Sequence, residues 1–319
     1  MHDSISQHGD DLVITQRTPV SDSVVELTLQ RGNGGRLPDW APGAHIDLIL
    51  PSGRVRQYSL CGDRWQAHQY RVAVQRDPRG SGGSQEIHDQ LRVGDRVRFG
   101  GPRNNFRLAP ATEYRFIAGG IGITPLLPMI QQAEHLNIPW RLLYLGRDQR
   151  RMAYRQMASR YSNQVTVHTS GHGHRASVKQ WLGTPDPHTL VYACGPEHLL
   201  DALPDECAVL PPSQLRLERF SSPLADVPVS RESFDIVLSR SGRRITAKSS
   251  DSVVNVLSDA GIDVITSCSR GVCGTCEVGV IEGRVDHRDA LLDDDERSRN
   301  DCMFPCVSRS LSDSLVLDL

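Results

Sequence analysis

The amino-acid sequence predicts a multidomain fold in which an antiparallel β-barrel precedes an α/β doubly wound domain and a small α+β domain. Its length of 319 residues allows two or three domains. Short strands divided by turn residues fill the first third, whereas strands alternate with helices in the second third. The last third is organised around a cysteine-rich loop. Three successive patterns of this kind indicate three domains.

Charge and cysteine content narrow the class of protein. The chain carries 36 Lys and Arg against 38 Asp and Glu, a net charge of −2, which gives no reason to expect a nucleic-acid or membrane partner. The N-terminal residues lack a signal-peptide pattern, and no apolar run reaches the length of a membrane span. Four of the eight cysteines are scattered, as free thiols in a reducing compartment would be: Cys61, Cys194, Cys207 and Cys302. We therefore expect a soluble cytoplasmic protein, and a monomer.

The barrel domain is predicted to cover residues 1–108. Segments rich in β-branched residues predict its strands, which lie near residues 11–16, 24–29, 44–50, 69–75 and 95–99. Several short strands at this spacing are typical of a barrel or a sandwich.

One candidate binding patch in this domain is an extended segment with Arg56, Tyr58 and Ser59. An arginine, an aromatic ring and a hydroxyl in this order could hold a phosphate, a planar ring and the edge of that ring. The alternative is an ordinary strand with a surface arginine and a half-buried tyrosine.

A second patch, Gly82, Gly83 and Ser84, precedes a helix-like segment. Backbone N–H groups at the N-terminus of a helix can bind an anion, and glycine lets that anion approach closely. The alternative is a flexible hairpin loop.

Residues 109–222 are predicted to form a domain with a parallel sheet, because strands and helices alternate there. A strand at residues 114–118 runs into a glycine-rich segment, in which Thr124 is a plausible helix N-cap and Pro125 suits the first helical position. Ligands bind at the carboxyl ends of parallel strands, and Cys194 ends another strand. The candidate dinucleotide-binding residues at these two ends are Gly119, Gly120, Gly122, Thr124, Gly195 and Pro196.

The choice between NADH and NADPH depends on the segment after the second strand of this domain. Asp148 is the type of residue that binds the ribose 2′-hydroxyl of NAD, whereas Arg147, Arg150 and Arg151 suit the 2′-phosphate of NADP. The aspartate favours NADH and the arginines favour NADPH, and of the two we favour NADH.

Residues 223–231 are rich in proline and lack periodicity, so they are predicted to be a linker to a last domain at residues 232–319. This domain contains Cys268, Cys273 and Cys276 at C-x4-C-x2-C spacing, which is the plant-type pattern for a [2Fe–2S] cluster. A zinc site or a pair of disulfides is the alternative, although zinc ligands usually come as two short pairs. Cys306 and Cys302 compete for the fourth position, and we favour Cys306 because a strand-like segment follows it.

With these blocks in order, the chain resembles the phthalate dioxygenase reductase family, which includes vanillate O-demethylase reductases. The resemblance covers essentially the whole length. It rests on Arg56-Gln-Tyr-Ser-Leu, Gly82-Gly-Ser, Gly119-Gly-Ile-Gly-Ile-Thr-Pro, Tyr192-Ala-Cys-Gly-Pro, the cysteine pattern and Asp286-His-Arg-Asp. It implies a six-stranded flavin barrel, a doubly wound nucleotide domain and a β-grasp ferredoxin domain, with FMN, NADH and a [2Fe–2S] cluster as cofactors.

The resemblance also implies roles for single residues. Arg56, Gly83 and Ser84 would hold the FMN phosphate, while Tyr58 and Ser59 would line the isoalloxazine ring, with Ser59 near its N5 atom. Phe220 would pack near the flavin. Gly120 and Thr124 would contact NADH, and Cys194 would face the nicotinamide, so that Ser59 and Cys194 are the candidate catalytic residues.

The function implied is electron transfer from NADH through FMN and the cluster to the Rieske centre of a terminal oxygenase or O-demethylase. A reductase that feeds a cytochrome P450 or another one-electron acceptor is the alternative enzyme. A redox-sensing regulatory protein is the alternative from another class, but the sequence offers no basic stripe or DNA-binding segment for its output.

Overall fold

A computed structural model describes residues 11–172, 176–221 and 233–319 of the protein. The chain divides into two compact units, Met1–Glu218 and Arg219–Leu319. The predicted linker at residues 223–231 lies outside the described residues. Within the described ranges, none of the helices combines the length and the apolar character needed to cross a membrane.

The first unit begins with a six-stranded antiparallel sheet in the order β4-β3-β6-β1-β2-β5. Its strands are β1 Asp11–Ser21, β2 Val24–Arg31, β3 His45–Ile49, β4 Val55–Ser59, β5 Tyr70–Gln75 and β6 Arg96–Arg103. An isolated bridge between Leu60 and Val72 joins the end of β4 to β5, so the sheet closes into a barrel. Helix α1, Gly83–Asp89, follows β5.

Alternation of apolar and polar residues explains why these segments form a barrel. Leu12 and Ile14 of β1 and Leu27 and Leu29 of β2 are fully buried, whereas Val13 and Glu26 are only partly buried. Successive side chains of a strand point to opposite faces, so one face of each strand fills the barrel interior.

A five-stranded parallel sheet in the order β11-β10-β7-β8-β9 completes the first unit. Its strands are β7 Glu113–Gly119, β8 Trp140–Gly146, β9 Val165–Thr169, β10 Thr189–Cys194 and β11 Leu215–Glu218. The α-helices between them are α2 Leu126–His135, α3 Met157–Arg160, α4 Val178–Leu182, α5 Glu197–Leu200 and α6 Leu203–Glu206. Short 3-10 helices occupy Gly120–Ile123, Gln149–Arg151, Ser170–His172 and Pro212–Gln214.

Both faces of this parallel sheet are covered. Phe116 of β7 belongs to a core that also contains Met129 and Ile130 of α2. Its neighbour Ile117 points the other way, into a core with Val178 and Leu182 of α4. Burial on two faces explains why the strands read as nearly continuous apolar runs.

Polar contacts join the barrel to the parallel sheet within the first unit. The hydroxyl of Tyr154 donates to Glu26 Oε2 over 2.7 Å and lies 3.4 Å from the sulfur of Cys61. The N–H of Asp22 donates to the carbonyl of Arg150 over 3.1 Å. The segment that follows β8 is therefore held against strand β2 of the barrel.

The second unit contains a five-stranded sheet in the order β13-β12-β18-β14-β16 and a two-stranded sheet of β15 and β17. Its strands are β12 Ser233–Leu238, β13 Arg244–Lys248, β14 Val278–Glu282, β15 Val285–Asp286, β16 Cys302–Met303, β17 Arg309–Ser310 and β18 Ser314–Leu317. Helices α7, Val253–Asp259, and α8, Asp294–Arg299, complete it. Strands β12 and β18 pair in parallel at the centre, and Leu257 of α7 packs into the core beneath them. The predicted fold class is thereby confirmed.

Local details differ from the sequence-based expectations at the ends of helices. Helix α2 begins at Leu126 with Pro125 in the N-cap position, so Thr124 is not its N-cap. The hydroxyl of Thr124 instead donates to the carbonyl of Ile121 over 2.9 Å, because the preceding turn is a 3-10 helix. Ser250 and Asp251 suit the N-cap of helix α7 by residue type, but Ser252 occupies that position, and its hydroxyl accepts from the N–H of Asn255.

Candidate functional site

The two candidate patches of the barrel meet at Arg56. Its Nη2 atom donates to the hydroxyl of Ser81 over 2.6 Å and to the carbonyl of Ser81 over 3.2 Å. A Cβ atom on Gly83 would lie 2.5 Å from Arg56 Nε, so only glycine leaves room for the arginine side chain there. Strand β4 and the start of α1 thus bring a guanidinium group and a glycine-rich backbone together, which is a chemical fit for a phosphate.

Two further residues shape the start of α1. Gly82 has φ +88°, a left-handed conformation that favours glycine, and it occupies the N-cap position of the helix. The hydroxyl of Ser84 accepts a hydrogen bond from the N–H of Asp77 over 3.0 Å, which ties the loop to the helix. The predicted phosphate-binding residues therefore lie together, and their role in binding stays a prediction.

A buried carboxylate, which the sequence gave no reason to single out, fixes helix α1. Glu86 accepts from the N–H of Ser52 over 2.9 Å, from its hydroxyl over 2.5 Å and from Arg54 over 3.3 Å. Burial raises the pKa of Glu86, but these hydrogen bonds outweigh burial and lower it overall. A pocket of about 470 Å³ lies beside this network and is lined in part by Arg54, Gly82 and Glu86.

Tyr58 and Ser59 lie at the end of β4, as the extended pattern predicts. Tyr58 is half-buried against the barrel core, and Ser59 is buried and pairs with His45 of β3. Both residues are on the same strand as Arg56, so the phosphate and ring positions would follow one another along β4.

The two glycine segments of the parallel sheet pack against each other. A Cβ atom on Gly119 would lie 2.6 Å from Pro196 Cδ and 3.1 Å from the Cα of Gly195. A Cβ atom on Gly122 would overlap the carbonyl group of Cys194. The sheet thus brings the carboxyl ends of β7 and β10 into backbone contact, as expected for neighbouring parallel strands.

Gly120 differs from these neighbours because its position is open. It has φ +55°, and a Cβ atom there would meet nothing within 4 Å among the described residues. The backbone of Gly120 is therefore accessible at the carboxyl edge of the sheet, where a dinucleotide is expected.

Cys194 is fully buried at the end of β10 and pairs in register with Glu218 of β11. Burial, with a contribution from the charge of Glu218, raises the pKa of the Cys194 thiol well above its ordinary value. Cys194 is therefore a neutral thiol and not a thiolate nucleophile.

Sequence reasoning missed Glu218. Burial raises the pKa of its carboxyl group from 4.5 to about 8. Its Oε2 atom is buried and has no hydrogen-bond partner in the part of the chain that the structure describes. A glutamate in a short strand gives no signal in the sequence, because the register of β11 against β10 creates this environment.

The segment after β8 contains the residues that bear on the choice of nucleotide. Asp148 Oδ1 accepts from the N–H of Arg150 over 2.9 Å, and its Oδ2 lies 3.3 Å from Arg150 Nη2. The carboxylate and the arginine therefore form an ion pair, and this geometry favours neither NADH nor NADPH.

The four predicted cluster cysteines lie together in the second unit. The thiols of Cys273 and Cys306 form hydrogen bonds to the sulfur of Cys268 and lower its pKa. Cys306 acts in the same way on Cys276. The N–H groups of Arg270 and Thr275 donate to the sulfurs of Cys268 and Cys273 over 3.3 and 3.4 Å.

These cysteines fit a two-iron cluster. A [2Fe–2S] cluster takes four cysteine thiolates, two on each iron, and Cys268, Cys273, Cys276 and Cys306 supply that number and type of ligand. Cys306 lies in a turn after Phe304, not at the start of a strand, which corrects the reason given for choosing it. Cys302 lies on β16, where burial raises the pKa of its thiol to about 11.

Phe220 follows β11 and is half-buried. It lies beyond the boundary at Glu218 that separates the two compact units. Its predicted place near the flavin stays a prediction.

A closed antiparallel barrel, a parallel nucleotide-type sheet and a cysteine-bearing domain on one chain define an iron–sulfur oxidoreductase. The model of the 2Fe-2S iron-sulfur cluster binding domain matches residues 236–310. A putative toluene-4-sulfonate monooxygenase system reductase subunit from Comamonas testosteroni is 39% identical over 308 residues, which are 94% of this chain and 96% of that protein.

Two solved structures show the same architecture. Phthalate dioxygenase reductase, described as a modular structure for electron transfer from pyridine nucleotides to [2Fe-2S], is 34% identical with a TM-score of 0.77, and 97% of each chain is covered. An intact type IV self-sufficient cytochrome P450 monooxygenase is 38% identical with a TM-score of 0.84, and 97% of this chain spans 41% of that chain. The chain belongs to the phthalate dioxygenase reductase family. The expected cofactor set of FMN, NADH and a [2Fe–2S] cluster is confirmed at the level of this family.

Proposed function

We propose that the protein is an NADH-dependent reductase that passes electrons through FMN and a [2Fe–2S] cluster to the Rieske centre of a terminal oxygenase or O-demethylase. The observation that carries the proposal is the convergence of four cysteines, Cys268, Cys273, Cys276 and Cys306, on a chain that also has a nucleotide-type sheet. The names of its relatives, reductase subunits of oxygenase systems, support an oxygenase as the acceptor.

FMN, when bound, takes a hydride from NADH and gives up the two electrons singly, and the cluster carries one electron at a time. The task of Arg56 is to bind the phosphate of FMN, with its guanidinium group already oriented by Ser81. Tyr58 and Ser59, further along β4, would hold the ring system and its edge. The barrel would thus position FMN and supply the positive charge that binds its phosphate.

The parallel sheet would present NADH to this ring. The open backbone at Gly120 lets the dinucleotide approach, and the close packing of Gly122 on Cys194 sets the floor of the site. Cys194, as a neutral buried thiol, would contact the nicotinamide without reacting with it. Thr124 is held by its bond to Ile121, so its side chain is fixed beside this floor.

The cysteines of the second unit would hold the cluster. The N–H groups of Arg270 and Thr275 donate to cysteine sulfurs, and such bonds stabilise the electron-rich form of a cluster. Cys306 completes the set in preference to Cys302, because its thiol lies beside Cys268 and Cys276, whereas Cys302 lies on β16 opposite Gly279.

The remaining expectations are parts of the same proposal. A net charge of −2 supports the absence of a nucleic-acid partner and of a membrane surface. Eight cysteines that are all free support a reducing compartment such as the cytoplasm. We propose a monomer that meets the oxygenase transiently.

An anaerobic titration of the purified protein with NADH tests the proposal. We expect the visible absorbance of the flavin to bleach and a rhombic [2Fe–2S] signal to appear by EPR. Continued NADH oxidation with an artificial acceptor would distinguish an enzyme from a redox sensor, which would be reduced once and then stop. Bleaching without the EPR signal would refute the transfer of electrons to the cluster.

A cytochrome P450 is the second candidate acceptor. The likeness over 97% of this chain to part of a self-sufficient P450 monooxygenase favours it. Reduction rates measured side by side with a Rieske ferredoxin domain and with a substrate-bound P450 would decide between the two acceptors. Faster reduction of the P450 at equal concentrations would overturn the assignment to a Rieske oxygenase.

A further inference from the structure

A short segment of the second unit, residues 286–290, contacts both parts of the chain that carry the cluster cysteines. We call it the clasp segment. The N–H of Ala290 donates to the carbonyl of Gly271 over 2.9 Å, and Gly271 lies between Cys268 and Cys273. The N–H of Arg288 donates to the hydroxyl of Ser308 over 3.3 Å, just beyond Cys306. The clasp segment thus joins the loop with three cysteines to the turn with the fourth.

Packing at Gly271 makes this junction tight. Gly271 has φ +68°, and a Cβ atom there would lie 2.6 Å from Val307 Cγ2 and 3.1 Å from the Cα of Asp289. The cysteine loop, the residue after Cys306 and the clasp segment therefore meet at one point that has no space for a side chain.

Asp289 contributes a buried charge at this junction. It is 0% exposed, and its Oδ2 atom accepts from the N–H groups of Leu291 and Leu292 over 3.1 and 2.9 Å. Its Oδ1 atom lies 3.8 Å from Nδ1 of His287. Arg297 Nη2 donates to its backbone carbonyl over 2.8 Å.

The carboxylate of Asp289 stays ionised despite this burial. Burial raises its pKa, but the contacts with His287 and the two backbone N–H groups outweigh burial and lower it overall. A fixed negative charge in a medium of low dielectric acts strongly on nearby groups that gain or lose an electron. Net charge around a cluster is one of the factors that set its reduction potential.

We propose that Asp289 is a positioning residue that holds the cysteine loop against the Cys306 turn and lowers the reduction potential of the [2Fe–2S] cluster through its buried charge. This inference rests on the proposed function, because it requires a cluster at the four cysteines. A more negative cluster gives up its electron to the acceptor more readily.

Two substitutions of opposite electrostatic sign test the inference in the full-length holoprotein. Asp289→Asn keeps the shape and an acceptor oxygen for Leu291 and Leu292 but removes the negative charge, so the midpoint potential shifts to a more positive value. Arg297→Gln removes a positive charge beside Asp289, so the potential shifts to a more negative value. Asp295→Asn, an exposed acid on α8, is the matched control and leaves the potential unchanged. The measurement is a redox titration followed by EPR.

Opposite shifts distinguish an effect of charge from loosening of the loop, which would move both potentials in one direction. Equal shifts in one direction, or potentials that do not move, overturn the inference. If Asp289→Asn folds without a cluster, the sign of the Arg297→Gln shift decides. If that variant does not fold, the sign of the Arg297→Gln shift decides by itself. Absence of a [2Fe–2S] signal from the wild-type protein would overturn the proposed function itself. Failure of the proposed function is thereby distinguished from failure of the inference about Asp289.

Discussion

A Cβ atom on Gly122 would overlap the backbone carbonyl of Cys194, so the segments that follow β7 and end β10 touch backbone to backbone. This contact lies at the carboxyl edge of the parallel sheet. Gly120, two residues earlier, faces open space instead. The same short motif therefore contains one glycine required by the fold and another that leaves room for a ligand.

Gly122→Ala is expected to destabilise the first unit by about 1–3 kcal/mol, because the methyl group forces two backbone segments apart. Gly120→Ala is the matched control. It meets no neighbour, and its left-handed backbone costs roughly 1 kcal/mol, while its added methyl group weakens NADH binding. Urea unfolding and the dissociation constant of NADH measure the two effects. Equal stability of Gly122→Ala and the wild type would contradict the packing argument.

Arg56→Ala is expected to weaken FMN binding by about 10- to 100-fold, because a hydrogen bond between charged groups contributes about 1.5–3 kcal/mol. Flavin content after gel filtration and the fluorescence of released FMN measure the loss. Arg36→Ala is the control, since Arg36 is an exposed arginine of the same unit paired with Asp39. An unchanged flavin content in Arg56→Ala would refute the phosphate role.

Cys306→Ser is expected to abolish the [2Fe–2S] cluster, whereas Cys302→Ser retains it. The thiol of Cys306 lies within hydrogen-bonding reach of Cys268 and Cys276, while Cys302 lies on β16 opposite Gly279. Iron and acid-labile sulfide content, together with the visible spectrum, measure cluster occupancy. The reverse result would assign the fourth ligand to Cys302.

Much of this architecture can be predicted from the sequence. Alternating residues such as Leu12 and Ile14 predict the barrel strands, and the cysteine spacing predicts the cluster loop without any knowledge of the fold. These signals are local, because each depends on residues close together in the chain. The start of helix α8 also has a local signal in the sequence. Asp293 and Glu296 form a reciprocal capping box at the start of α8, and their spacing in the sequence is the signature of that motif.

Features that depend on the register between distant segments could not be predicted. Thr124 suits a helix N-cap by type, but its hydroxyl bonds to Ile121 because a 3-10 turn precedes the helix. Glu86 and Asp289 are ordinary acids in the sequence, and only the packing of α1 and of the cysteine loop buries them. The environment of Glu218 could not be predicted either, because it depends on the pairing of β11 with β10, which places Glu218 beside Cys194.

Glu218 makes the stability of the first unit depend on pH. Burial raises the pKa of its carboxyl group from 4.5 to about 8 in the folded protein. As the pH rises through this window, the unfolded chain releases the proton while the folded chain keeps it. The folded state therefore loses stability as the pH rises, and the loss is complete above the folded pKa.

Glu218→Gln is expected to remove this loss, because the amide keeps the shape of the protonated carboxyl group and cannot ionise. The variant and the wild type should unfold at similar temperatures near about pH 5, and the variant should unfold on the order of 5 °C higher near about pH 9. Calorimetry at the two pH values measures the difference. Glu197→Gln, at an exposed position at the start of α5, is the control and should not change the pH dependence. If Glu218→Gln follows the wild type at both pH values, the carboxyl group titrates normally, and the inference that Glu218 is neutral beside Cys194 is wrong.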